Sequence, residues 1–303
     1  MPRTLYANGC SMTYGSDLAD DQHGQCVSHP RRFRLAWPGQ LAPLVAARRV
    51  YNNGYPSSSN DRIVRTTLRW IADWLNAGNE ASDLLVVIGW SSPMRREFRI
   101  GGVWRQIVPH HDYSDIEADI LARVYRELAW DTVESCVRFA SQVLLMQAYL
   151  ERLGIEYLFF DALETVTSAR ASCADEVQPY LSRVDRSRYM GFLQPDGDFA
   201  AMGPIVERRH PTAQEHAEWA RRLAQFMHPD ANAPETTDDD LQLEGTLDAP
   251  MFDVKRGRSD KPGAAAHPTV DPTHAAKPGR LSALGRIRSM IRAARDRDPF
   301  IYD

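Results

Sequence analysis

The run Leu84-Leu85-Val86-Val87-Ile88-Gly89 holds six consecutive residues without a polar side chain. A half-buried strand alternates apolar with polar, and a buried helix needs more length. A continuous aliphatic run this short fits a strand covered on both faces, as in a parallel sheet packed between helices. Residues 5–7, 49–52 and 157–161 also read as short buried strands. Between the second and third of these four strands, residues 61–76 place Ile63, Val64, Leu68, Ile71 and Leu75 at helical spacing. Residues 116–153 read as a long helical stretch, broken near Trp130-Asp131 and capped by Gly154. Strand alternating with helix predicts a doubly wound α/β sheet with right-handed crossovers. Loops at the strand C-terminal ends build the site in such sheets. The irregular stretches 91–113 and 165–204 are therefore candidates for substrate contact, with plain surface loop as the alternative.

Composition narrows the function classes. The net charge of -4 over 303 residues argues against nucleic-acid binding by the whole chain. Cys10, Cys26, Cys136 and Cys173 form no C-x-x-C pair, so a zinc ribbon or thioredoxin-like site is not expected, and the thiols read as reduced. Met1-Pro2-Arg3-Thr4-Leu5 leads into a strand at once, and no segment has the length of a membrane span. The expectation is a cytoplasmic protein, or a component of a larger assembly, with no transmembrane segment. After Met227 the composition turns to Pro, Asp, Thr, Ala and Gly with few aromatics. The expected division is a domain over residues 1–227, a disordered linker over 228–279, and a basic amphipathic helix with a docking end over 280–303. Leu284, Ile287 and Ile291 share one side of that helix among several arginines, which suits a protein partner, an anionic surface or a functionless tail.

Two segments carry side chains suited to catalysis. Gly9-Cys10-Ser11-Met12-Thr13-Tyr14-Gly15 follows the first strand. A strand-to-helix turn of this kind presents a serine hydroxyl at the sheet edge, beside N–H groups able to receive an oxyanion. It is equally the pattern of a tight turn with a helix N-cap serine. Glu207-Arg208-Arg209-His210-Pro211 lies near the end of the globular part. Pro211 restrains His210 ahead of a helix, and Glu207 stands three residues upstream, where it can orient the ring. The alternative is a proline-initiated helix with an incidental histidine. His216 reads as a helix-surface residue. Arg95, in Arg95-Arg96-Glu97, reads as a substrate-facing guanidinium for an anionic or sugar ligand, or as part of a salt-bridged loop. Adjacent His110-His111 point apart in most backbones and read as surface loop, so no metal is expected.

These blocks together resemble the SGNH (GDSL-like) hydrolases. The segment from Gly9 to Gly15 is similar to that family's first block, and His210-Pro211 before a Trp219-Ala220 helix to its last. Asn52-Asn53-Gly54-Tyr55-Pro56-Ser57-Ser58-Ser59-Asn60-Asp61 is similar to the second block, and Val87-Ile88-Gly89-Trp90-Ser91-Ser92 to the third. The resemblance spans roughly residues 3 to 227. It implies a flavodoxin-like three-layer α/β/α fold and ester hydrolysis without a cofactor. In that reading Ser11 is the nucleophile, His210 the base and Glu207 its orienting acid. Ser57, or Gly54, holds the position of the oxyanion-hole glycine, and Ser91 that of the oxyanion-binding asparagine. Asn60 and Arg95 complete the substrate-binding set. Cys10 replaces the family's usual aspartate, Ser91 its asparagine and Glu207 its aspartate. Loss of one oxyanion donor costs about 3 to 4 kcal/mol of transition-state stabilisation. Two functions follow: an esterase acting on a small-molecule or glycan ester, O-acetyl or carbohydrate-linked, and a catalytically degenerate binding or structural protein tethered by residues 281–303.

Overall fold

The computed structural model describes residues 3–20, 28–163, 174–194, 197–202, 210–229 and 242–245. The chain divides into two units, residues 1–256 and 257–303, and all described residues belong to the first.

The strands expected from sequence all form: β1 (Arg3–Asn8), β2 (Ala47–Asn52), β3 (Leu84–Trp90) and, later in the chain, β6 (Glu156–Asp161). Two short strands extend the sheet, β7 (Tyr189–Met190) and β8 (Gln242–Gly245). The order is β7-β6-β3-β1-β2-β8, and every neighbouring pair is parallel. Leaving out β8, that order is the flavodoxin-like arrangement. β8 falls inside the stretch read as linker, so residues 242–245 correct that reading. Four residues with no aromatic gave no strand signal of their own; their pairing with β2 supplies the order.

The side-chain period of two explains the three layers. Leu5 and Ala7 of β1, Leu85 and Val87 of β3, and Leu158 and Phe160 of β6 pack on one face with Trp37, Leu41, Trp219 and Leu223. Those four come from helices α3 (Trp37–Leu44) and α8 (Ala213–Met227). Tyr6, Val86, Ile88 and Phe159 face the other way, onto Ile63, Phe139 and Val143. These belong to α4 (Asn60–Asn76) and α6 (Thr132–Leu153). The break expected near Trp130 is real: α5 (Ile116–Val124) runs into a π-turn at Tyr125–Ala129, and Asp131 then caps α6, which ends on Gly154 in the left-handed region.

The stretch 91–113 is more ordered than a loop. It folds as an antiparallel hairpin, β4 (Arg96–Ile100) and β5 (Val103–Ile107), turning on Gly101 and Gly102 with φ of +56° and +86°. A two-residue turn with both φ positive is the arrangement glycine pairs favour. The stretch 165–204 likewise contains α7 (Ala174–Leu181) and β7. Among the described residues no helix is long and apolar enough to cross a membrane.

Phe160 ties one core together: it is fully buried and meets Trp37 and Trp219 edge-on, with centroids 5.3 and 5.4 Å away. Phe160→Ala is expected to lower unfolding free energy by about 3–5 kcal/mol in urea denaturation. A loss under about 1 kcal/mol contradicts the packing described here.

Candidate active site

β1 lies between β2 and β3, so three loops leave the sheet side by side at its C-terminal edge. The chain crosses from one face to the other there, where α/β sheets open a crevice. Three buried asparagines lock the loops. Asn8, the last residue of β1, donates to the Ile63 carbonyl at 3.1 Å and to Thr67 Oγ1 at 2.8 Å on α4. Asn52, ending β2, donates to the Thr13 carbonyl at 2.8 Å and accepts from the Gly54 N–H at 3.0 Å. Asn60, opening α4, donates to the Ser91 carbonyl at 2.9 Å and accepts from the Ser91 N–H at 2.8 Å.

Ser11 opens a one-turn helix, α1 (Ser11–Tyr14). Cys10, in extended backbone, is the N-cap and makes no side-chain capping bond, so Ser11 is the first helical residue and not a capping serine. The N–H groups at the start of a helix lack intrahelical acceptors and point toward whatever lies above the turn. Gly54 packs directly on this turn; a Cβ there would fall 2.5 Å from the Tyr14 nitrogen. Only glycine lets the second loop come this close.

Ser57 sits in the turn Tyr55–Ser58, closed by the Ser58 N–H on the Tyr55 carbonyl at 3.1 Å. Pro56 precedes it and its φ is +62°, the arrangement of a type II turn, where glycine is normally found. The Ser57 N–H takes no part in that closing bond. The Gly54 N–H, by contrast, is engaged by Asn52, so Gly54 gives close approach and no spare donor. Asn60 is corrected in the same way: its amide holds the Ser91 backbone. Ser91 is buried, and its Oγ accepts from Arg95 Nη1 at 3.2 Å. Arg95 itself makes no ion pair among the described residues. Its neighbours do: Glu97 pairs with Arg65 at 2.6 Å and Arg96 with Asp61 at 3.2 Å.

His210 meets a residue just beyond the first block. Its Nδ1 lies 2.8 Å from Asp17 Oδ2, across a sequence separation of 193 residues. A carboxylate only accepts, so Nδ1 carries the proton and Nε2 is left as the basic nitrogen. Asp17 has φ of +70°, a left-handed conformation that aspartate tolerates better than most residues. Both side chains keep solvent contact, 30% for His210 and 43% for Asp17. Such an exposed pair adds under about 1 kcal/mol to folding, so its consequence is ring orientation. Among the described residues no hydrogen bond joins Ser11 Oγ to His210. Glu207 lies outside the described residues. Sequence reasoning missed Asp17, since its only local cue is a place six residues after Ser11.

His216 corrects the surface reading. It is fully buried, and its Nδ1 accepts from the Trp37 N–H at 3.0 Å, satisfying a donor at the start of α3. Among the described residues no group of histidine, cysteine and carboxylate side chains is suited to hold a metal ion, and His110 stacks edge-on against Trp130.

The sequence matches the family described as "Family of unknown function (DUF6071)" over residues 16–234. The chain belongs to this family. The span matched to DUF6071 includes Asp17 and His210 and begins five residues after Ser11. No curated protein sequence matches this DUF6071 chain. Among solved structures it is similar to a carbohydrate esterase family 2 enzyme with a carbohydrate-binding domain from Corynascus thermopiles (Myceliophthora fergusii). The identity is 12% and the TM-score 0.42, over 75% of this chain and 66% of that one, just under two thirds of its length. It is also similar to a member of the lipolytic G-D-S-L family from Veillonella parvula DSM 2008, at 11% identity and a TM-score of 0.38, over 76% and 100% of the two chains. A further carbohydrate esterase, described as having divergent catalytic and non-catalytic binding functions, matches at 13% identity and a TM-score of 0.38, over 76% and 70%.

Two buried groups of this DUF6071 chain oppose each other in pH dependence. Burial pushes the Asp161 carboxyl up to about 7, against the lowering effect of the Tyr189 hydroxyl bonded to it at 2.7 Å. Burial pushes His216 down to about 3, and nearby His210 adds to the shift. Asp161 therefore stabilises the fold below its ordinary 3.8, and that contribution is lost as pH rises through about 7. The His216 contribution is full above 6.5 and is lost as pH falls through about 3. Between about pH 4 and 6.5 the folded chain holds one proton more at the first site and one fewer at the second, so the slopes cancel. Asp161→Asn is expected to make stability rise with pH in this window, by up to about 1.4 kcal/mol per unit, and His216→Gln to make it fall. Urea denaturation across the window checks this. Identical pH profiles for both variants and the unsubstituted chain contradict it.

Proposed function

We propose that this protein is a serine esterase of the SGNH type, cleaving an acyl ester such as an O-acetyl or carbohydrate-linked one. The observation that supports the reading is the His210–Asp17 contact, which joins the last sequence block to a residue six positions after Ser11. Ser11 Oγ attacks the ester carbonyl carbon and passes its proton to His210 Nε2. Asp17 holds the ring through Nδ1–H and stabilises the imidazolium that forms; Glu207 held this role in the sequence reading. The N–H groups of Ser11 and Ser57, with the Ser91 hydroxyl, receive the oxyanion. The tetrahedral intermediate collapses, His210 returns the proton to the leaving alcohol, and water activated by His210 then releases the acid.

The second reading is an SGNH-fold binding or structural protein, tethered to a partner by residues 281–303, which lie outside the described residues. Serine in place of asparagine at position 91, and the missing Ser11–His210 hydrogen bond, favour it.

Turnover of p-nitrophenyl acetate separates the two. Ser11→Ala and His210→Ala are each expected to lower kcat by about a thousandfold or more. Asp17→Asn is expected to lower kcat by about a hundredfold or more while KM stays within a few fold, as befits a residue that positions the base. Equal rates for the unsubstituted chain and Ser11→Ala rule the esterase out.

A further inference from the structure

The cavity beside Ser91 has a volume of about 410 Å³ and is lined in part by Ser92, Met94, Arg95, Val108, Pro109 and His110. Its walls are apolar apart from three groups. One of them is Arg95, whose partners differ in charge from those of Arg65, Arg96, Arg105 and Arg138. Arg65, Arg96, Arg105 and Arg138 each pair with a carboxylate. Arg95 has no carboxylate partner among the described residues. Its Nη1 is fixed by two neutral acceptors, the Ser91 hydroxyl at 3.2 Å and the Ser58 carbonyl at 3.5 Å. Those bonds orient the guanidinium and bring no opposite charge to it. Ser92 is buried, and its hydroxyl has no hydrogen-bond partner among the described residues. A buried hydroxyl left unpaired costs free energy that a ligand acceptor would recover.

We propose that this cavity is the acyl subsite and that it takes an acyl group ending in a carboxylate, of the succinyl or glutaryl type. The inference rests on the esterase reading, which puts the oxyanion on the Ser91 hydroxyl. Arg95 bonds that same hydroxyl, so its guanidinium lies within about 6 Å of the ester oxygen, two hydrogen-bond lengths. Two or three methylenes span that gap, and Met94, Val108 and Pro109 provide an apolar wall for them. The terminal carboxylate pairs with Arg95 in a charge-assisted bond, and the Ser92 hydroxyl donates to it.

The test compares mono-p-nitrophenyl succinate with p-nitrophenyl valerate, a neutral ester of similar size. Binding is measured by titration into the full-length Ser11→Ala chain, and kcat/KM in the unsubstituted one. The succinate ester is expected to bind at least about tenfold more tightly and to show the same preference in kcat/KM. Arg95→Gln removes the preference and Arg95→Lys keeps most of it. Should Arg95→Gln fail to fold, salt makes the same test: raising ionic strength weakens binding of the succinate ester and leaves the valerate ester unchanged. Equal binding of the two esters, or a preference untouched by Arg95→Gln or by salt, overturns the proposal. Turnover without preference leaves the esterase standing and removes the subsite. Selective binding by Ser11→Ala, with no turnover by the unsubstituted chain, leaves the anion subsite standing and removes the esterase.

Discussion

β1 runs parallel to both β2 and β3 and lies between them, and the candidate site depends on that placement. Parallel strands release their loops at one edge, so the turn with Ser11, the turn with Ser57 and the backbone at Ser91 are brought together by the sheet itself. Side-chain amides then fix the loops more closely than the sheet can. Asn8, Asn52 and Asn60 are buried, and each spends its amide on a neighbouring loop or helix. Buried backbone groups need such partners, and a loop whose polar groups are met internally holds its shape. The turn ahead of α8 adds His210, and the buried face of α8, through His216, also caps α3.

The electrostatics at this edge are uneven in an informative way. Charged side chains of the hairpin are mostly neutralised close by: Glu97 accepts both arms of Arg65, and Asp61 receives Arg96 and the Glu97 N–H. Those bonds pin β4 to the start of α4. Arg95, next to them in sequence, keeps its charge at the cavity. The Asp17–His210 pair stays in contact with solvent, where an ion pair adds little to folding but still sets which imidazole nitrogen is basic.

Much of the fold was legible in the sequence because burial leaves a pattern. The aliphatic run at residues 84–89 and the helical spacing at residues 61–76 each name their surroundings, and both elements form within a residue or so of their expected limits. The hairpin was legible in principle, since Gly101-Gly102 between residues of strand character marks a two-residue turn. β8 was not: its four residues gain order from the edge of β2, and that is a tertiary effect. The site divides along the same line. Ser11, Ser57, Ser91 and His210 stand out by local chain geometry, with glycine or proline nearby. Asp17 does not, because its partner is distant in sequence, and Asn60 reads as a substrate-binding residue until the end of β3 is seen against it. His216 reads as surface from the helix alone; its burial comes from α3.

The most direct measurement is a crystal structure of the protein after reaction with diethyl p-nitrophenyl phosphate. The expected result is a phosphoryl group on Ser11 Oγ, one of its oxygens facing the Ser57 N–H, and the Nε2 of His210 turned toward it while Nδ1 stays on Asp17. An unmodified Ser11, or a phosphorylated Ser11 with the His210 ring directed elsewhere, contradicts it.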